Sequence, residues 1–184
     1  VSRKPYAVLL LAVLVTGAAG CGKAGKSTGT WADQVCGVLA PWQQDQSTAL
    51  ASATTKTGTA EPTQVRDRLS QALGAIVTST GGAADHVQSI GAPDVPSGRA
   101  AKGELVATLR RTGQSFADLK TQIDGLDVRD QGAFAKALSP IAQQLSTASN
   151  ATQDTFQRLN GGDIGKAFAN SAACKGLLQS GPAG

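Results

Sequence analysis

The stretch Val65-Arg66-Asp67-Arg68-Leu69-Ser70-Gln71-Ala72-Leu73-Gly74-Ala75-Ile76 decides the fold. Its large aliphatic residues, Val65, Leu69, Leu73 and Ile76, return every three or four positions with mostly polar or small residues between them. That is the period of a helix with one apolar stripe, whereas a strand alternates every second residue. The spacing continues through Thr80, Ala83, Val87 and Ile90. A second series runs Ala101, Leu105, Leu109, Thr112, Phe116, Leu119, Ile123, and a third runs Phe134, Leu138, Ile141, Leu145, Ala148, Thr152, Phe156, Leu159. Stripes of this width are buried by packing helix against helix.

The punctuation agrees with the periodicity. Glu61-Pro62 opens the first of these helices, Gly91 to Ser97 separates it from the next, and Gly125-Leu126-Asp127 precedes the last, with Asp127 placed to cap it. Asn160-Gly161-Gly162 closes it. At roughly 28 residues each, these helices are about 42 Å long. An earlier stripe of Trp31, Val35, Leu39 and Trp42 follows Thr30, an N-cap with Asp33 three residues on, and Pro41 is expected to bend it. Asp163 can cap a short last helix bearing Ile164, Phe168 and Leu178. Short connections make neighbours antiparallel. The expected fold is all-α: an antiparallel up-down four-helix bundle with a short C-terminal helix, after a cleaved signal peptide.

Composition narrows the function. The 184 residues include 17 Lys or Arg against 13 Asp or Glu, a formal charge of +4 that is scattered along the chain. A nucleic-acid binder concentrates its basic residues in a stripe, so none is expected as a partner. One His and three Cys give little from which to build a metal or haem site, and no cofactor is expected.

The N-terminus reads as an address. Val1-Ser2-Arg3-Lys4-Pro5 is positive, Ala7 to Val15 is apolar, and Thr16 to Gly20 is small, which is the order of a secretory signal. The apolar run is shorter than the ~20 residues of a membrane-spanning helix. The small stretch ends Ala18-Ala19-Gly20-Cys21, which resembles the lipobox of bacterial lipoproteins, with Ala18 where the usual pattern has Leu. The resemblance implies cleavage before Cys21 and a diacylglycerol thioether on its sulfur, a two-chain anchor that holds a protein stably on a membrane. The absence of Met, the Val at position 1 and the Ala/Gly/Thr-heavy composition extend the resemblance to the small helical lipoproteins of actinobacteria. The expected organisation is therefore residues 1–20 as signal peptide, 21–29 as lipidated Cys and flexible tether, and 30–184 as the helical domain. The expected location is the extracytoplasmic face of the cell membrane.

Gly20-Cys21-Gly22-Lys23-Ala24-Gly25-Lys26-Ser27 also satisfies the phosphate-binding loop pattern G-x-x-x-x-G-K-[ST]. That loop works between a strand and a helix of a parallel sheet. The chain downstream shows no β alternation, no helix is expected directly after Ser27, and signal cleavage removes Gly20.

Export implies an oxidising compartment, and acylation of Cys21 leaves Cys36 and Cys174 as the two free thiols. A disulfide between them is expected, joining the first helix to the last. Elsewhere, His86 lies beside the second helix's apolar phase with no assignable partner and reads as solvent-facing. Asn150-Ala151-Thr152 matches a glycosylation sequon inside a helix and is set aside, and Asp154 with Arg158 makes an i,i+4 pair.

One constellation invites a site. Thr80-Gly81-Gly82, Thr112-Gly113 and Ser139-Pro140 fall at similar heights when counted from the shared loops. Small and polar residues at one level leave a cavity or a tight helix crossing. Thr80, Thr112 and Pro140 are accordingly the candidate ligand-binding residues of a mid-bundle waist, against the alternative that Trp31, Trp42 and Phe116 fill it. The leading expectation is a non-enzymatic, membrane-anchored interaction or accessory module of the cell envelope, with an envelope protein as possible partner. The alternative is a small-ligand-binding or sensing lipoprotein that uses the waist. The acids Asp33, Glu61, Glu104, Asp118 and Asp154 are scattered, and no catalytic cluster is expected.

Overall fold

A computed structural model describes residues 26–54 and 60–179, and all of its regular structure there is helical. The helices are α1 (Thr28–Thr54), α2 (Pro62–Ser89), α3 (Gly98–Asp124), α4 (Gln131–Leu159), α5 (Gly162–Asn170) and α6 (Ala172–Gln179). The signal peptide and Cys21 lie outside the described residues.

The expected stripes are the buried ones. On α3 every member of the series is buried, from Ala101, Leu105 and Leu109 through Thr112 and Phe116 to Leu119 and Ile123. On α1, Trp31, Val35, Leu39 and Trp42 are buried, and on α2 so are Leu73, Ile76, Thr80, Ala83 and Val87. The stripe of α2 loosens toward its start, where Val65 and Leu69 are half-buried.

These side chains gather in two apolar clusters. One draws on the start of α1 (Trp31, Val35, Leu39, Trp42), the end of α2 (Ala83, Val87), the first half of α3 (Leu105, Leu109), Leu159 of α4, and Ile164, Phe168 and Cys174. The other draws on Leu73 and Ile76 of α2, Phe116, Leu119 and Ile123 of α3, and Ile141 and Ala148 of α4, with Leu50 of α1 packed against it. Burying a side chain of Leu, Ile or Phe size contributes about 1.5–3 kcal/mol, so these clusters supply most of the cohesion. The surface ion pairs add little: Lys120 to Asp124 at 2.6 Å and Arg66 to Asp67 at 2.7 Å are both partly solvated.

Several local expectations need correction. Helix α1 begins at Thr28 rather than after Thr30, because Ser27 is the cap: its Oγ accepts from the Thr30 amide at 3.3 Å and its carbonyl accepts from the Trp31 amide at 2.9 Å. A helix therefore does follow Ser27 directly. The phosphate-loop pattern still lacks its sheet, since no strand occurs among the described residues. Helix α4 is capped by Asp130, whose carboxylate accepts from the Ala133 amide at 2.9 Å. Asp127 instead accepts from the Arg129 amide and guanidinium in the preceding turn. Pro41 and Pro140 each lie inside a continuous helix, α1 and α4 respectively, and that continuity does not contradict the bend expected at Pro41.

The single short C-terminal helix is in fact two. The chain leaves α4 through Gly162, whose φ of +60° lies in the left-handed region that favours glycine. Asp163 sits in the first turn of α5, where its charge favours the helix N-terminus, while Gly161 holds the cap position. Extended backbone at Ser171 then ends α5 and starts α6. Ser171 caps the new helix, its Oγ accepting from the Cys174 amide at 3.3 Å.

Candidate functional site

The residues singled out by chemistry sit in three places. The first is the junction of α1 with α5 and α6. Cys36 and Cys174 are both buried and joined by a disulfide across 138 residues of sequence, with their Cα atoms 5.1 Å apart. Beside it, the Ser171 hydroxyl donates to Asp33 of α1 at 2.6 Å while it caps α6. Ser171 thus couples the last helix to the first by a hydrogen bond next to the covalent link. Trp31 is fully buried here against Phe168, with ring centroids 5.6 Å apart. Gly29, Asp33, Lys166, Ala167, Asn170 and Ser171 line a shallow cleft of about 260 Å³ over the junction.

The second place is the expected waist, and it is filled. Thr80 is fully buried, and its Oγ1 accepts the indole N–H of Trp42 at 3.0 Å. Gln46 of α1 reaches the same oxygen at 3.5 Å. The methyl of Thr80 faces Gly113 so closely that a Cβ built there lies 3.5 Å from it. Thr112 is buried beside Gly113. Pro140 is exposed, and its neighbour Ile141 turns inward to the second cluster. Thr80 and Thr112 are therefore packing residues of a close helix crossing that Trp42 seals. Pro140 does not join them. Counting residues from the loops misjudged the register of α4: Thr108 meets Thr155 and Gln122 meets Gln144, which places Pro140 near the end of α3 and not opposite Thr112.

The third place was not foreseen. Lys26, expected within the flexible tether, forms a parallel bridge with Pro93 in the α2–α3 connection. Its amide donates to the Ala92 carbonyl at 3.3 Å, and its carbonyl accepts from the Asp94 amide at 2.8 Å. Its ammonium donates to Gln34 of α1. Lys26 to Gly29 therefore belong to the folded domain and not to a free linker.

Other side chains fall where chemistry is unpromising. His86 is exposed. Arg158 pairs with Glu104 of α3 at 2.8 Å rather than with Asp154, and it also donates to Thr155 at 2.7 Å. Thr155 and Thr108 share a buried hydrogen bond of 3.1 Å between α4 and α3, to which Arg111 donates at 3.0 Å. This string of polar groups sets the register of α3 on α4. The threonines are off the large-residue series, which is why periodicity passes over them. Among the described residues, no three His, Cys, Asp or Glu come together as a metal site, and no helix is long and apolar enough to cross a membrane. Comparison of the chain with protein-family models, with curated proteins and with solved structures found no match in any of the three.

Proposed function

We propose that the chain is an extracytoplasmic lipoprotein, anchored through diacylglyceryl-Cys21, whose helical domain works by contact as an accessory or interaction module of a cell envelope. The observation that carries this reading is the Cys36–Cys174 disulfide. Paired cysteines suit an oxidising compartment, which is where the signal-like start would send the chain. The pairing also sets Cys21 apart, within the lipobox-like Ala18-Ala19-Gly20-Cys21. The domain itself is read as an up-down antiparallel four-helix bundle of α1 to α4, with α5 and α6 clasping the start of α1. The membership of the two clusters supports that arrangement, since each joins the beginning of some helices to the end of others. The filled crossing at Thr80 weighs against the ligand-sensing alternative.

The test is mass spectrometry of the mature protein from a membrane fraction of an expressing bacterium. The expected product starts at Cys21, carries the added mass of a diacylglycerol thioether, and contains one disulfide. A Cys21→Ala chain is expected to leave the membrane fraction. A mature protein without acyl mass overturns the reading.

A further inference from the structure

We propose that the domain stands end-on at the bilayer, with the α2–α3 connection and the first turn of α3 forming its contact surface for an anionic lipid headgroup layer. The inference deepens the lipoprotein reading and rests on it. Its source is the pairing of Lys26 with Ala92, Pro93 and Asp94. A tether running freely to Thr30 would let the domain tumble above the membrane. Because Lys26 is fixed, only the five residue steps from Cys21 to Lys26 separate the lipid from the fold. Fully extended, five residues reach at most about 18 Å. The 27 residues of α3 carry it about 40 Å from this end. The lipidated sulfur therefore cannot approach the end formed by Gly125 to Asp130, whereas Ala92 to Ser97 are held beside the tether exit.

Charge at this end is compatible with an anionic surface. Arg99 and Lys102 lie three residues apart at the start of α3, and Lys26 emerges against the same connection. Lys166 of α5 faces the cleft beside Gly29. The acids here are Asp94, Asp33, which lines the same cleft and accepts from Ser171, and Asp163, 3.6 Å from Lys166. Each cation close to an anionic leaflet adds about 1 kcal/mol of attraction, enough to bias a domain that the tether already keeps there.

The experiment uses the full-length lipoprotein purified from membranes and reconstituted into phosphatidylcholine–phosphatidylglycerol vesicles. A fluorophore is placed on Ser97→Cys or on Gln131→Cys, both exposed positions, and quenched by nitroxide-labelled headgroups. Near-ultraviolet circular dichroism checks that each variant is folded. The label at 97 is expected to be quenched several-fold more than the label at 131, and the contrast to shrink in Arg99→Glu/Lys102→Glu. Equal quenching at 97 and 131 in acylated, co-sedimenting protein overturns the orientation and leaves the anchor intact. A contrast unchanged by the double reversal overturns the anionic headgroup contact. Protein without acyl mass that fails to co-sediment overturns the lipoprotein reading and the orientation with it.

Discussion

Trp42 of α1 donates its indole N–H to the Thr80 hydroxyl of α2 at 3.0 Å, and both side chains are buried. The bond satisfies the one polar atom of a large ring where α1 meets α2. Thr80→Val keeps the shape but removes the acceptor. It is expected to destabilise the oxidised protein by about 1–3 kcal/mol, the cost of leaving a buried donor unpaired. Adding Trp42→Phe removes the stranded donor as well, so the double variant should lose less than the two single losses combined. Denaturant unfolding of all four proteins gives the coupling, and strict additivity would contradict the bond.

Two glycines of α3, one at this crossing and one against the α2–α3 connection, carry opposite predictions. A Cβ at Gly113 meets the Thr80 methyl at 3.5 Å, an ordinary contact. Gly113→Ala should therefore fit and raise stability by up to about 1 kcal/mol through better helix propensity. A Cβ at Gly98 would lie 2.1 Å from the backbone oxygen of Pro93. Gly98→Ala must push the α2–α3 connection aside, and it should lower the thermal midpoint and speed hydrogen exchange at the Asp94 amide, which is bonded to Lys26. Equal midpoints for the two alanine variants would refute this account.

The long helices were legible because a buried stripe must recur at the helical period, and α3 shows this most fully: its whole series from Ala101 to Ile123 is buried. The Cys36–Cys174 link was legible through chemistry, since the acylation expected at Cys21 would leave two thiols to pair. What periodicity misses is anything set by a single polar atom. Ser27 and Asp130 took the capping roles that spacing gave to Thr30 and Asp127, because several nearby residues had suitable oxygens and only the chain path chooses among them. Ser171, flanked by alanine and asparagine, carried no signal that its hydroxyl would both cap α6 and bind Asp33. The candidate waist failed for a related reason. Counting from the shared loop assumed a register that α4 does not keep: Thr108 meets Thr155 and Gln122 meets Gln144, which sets Pro140 beside the end of α3, away from Thr112.

The disulfide should carry a large share of the stability. Closing a loop of 138 residues restricts the unfolded chain strongly, and removing such a link typically costs about 2–5 kcal/mol. Cys36→Ala/Cys174→Ala is expected to lose stability in that range. It should also loosen α5 and α6 first, because Phe168 and Ser171 then hold them to α1 without the covalent bond. Hydrogen exchange should rise in residues 162–179 before it rises in α3. A variant with unchanged midpoint and uniform exchange would show that the two short helices dock without help from sulfur.

Asp127 offers a local pH test in the turn before α4. The Arg129 guanidinium donates to both carboxylate oxygens, at 2.9 Å and 3.1 Å from Nε, and the Arg129 amide adds a bond of 2.9 Å. These donors favour the ionised form and lower the pKa from its ordinary 3.8 to about 2, the side-chain bonds contributing most. A carboxylate whose folded pKa is depressed contributes stability that is fully present above its unfolded value. That contribution fades as pH falls from 3.8 through about 2. Carboxyl carbon NMR should place the Asp127 midpoint near 2. In Arg129→Gln the midpoint should rise toward 3.8 yet stay below it, because the backbone amide at 129 still donates. Asp124, held down chiefly by its bond to Lys120 and also by Ser70, should keep its depressed titration in the same variant and serve as the internal control. An Asp127 midpoint that does not move in Arg129→Gln would assign the shift to the backbone amide and remove the guanidinium from the account.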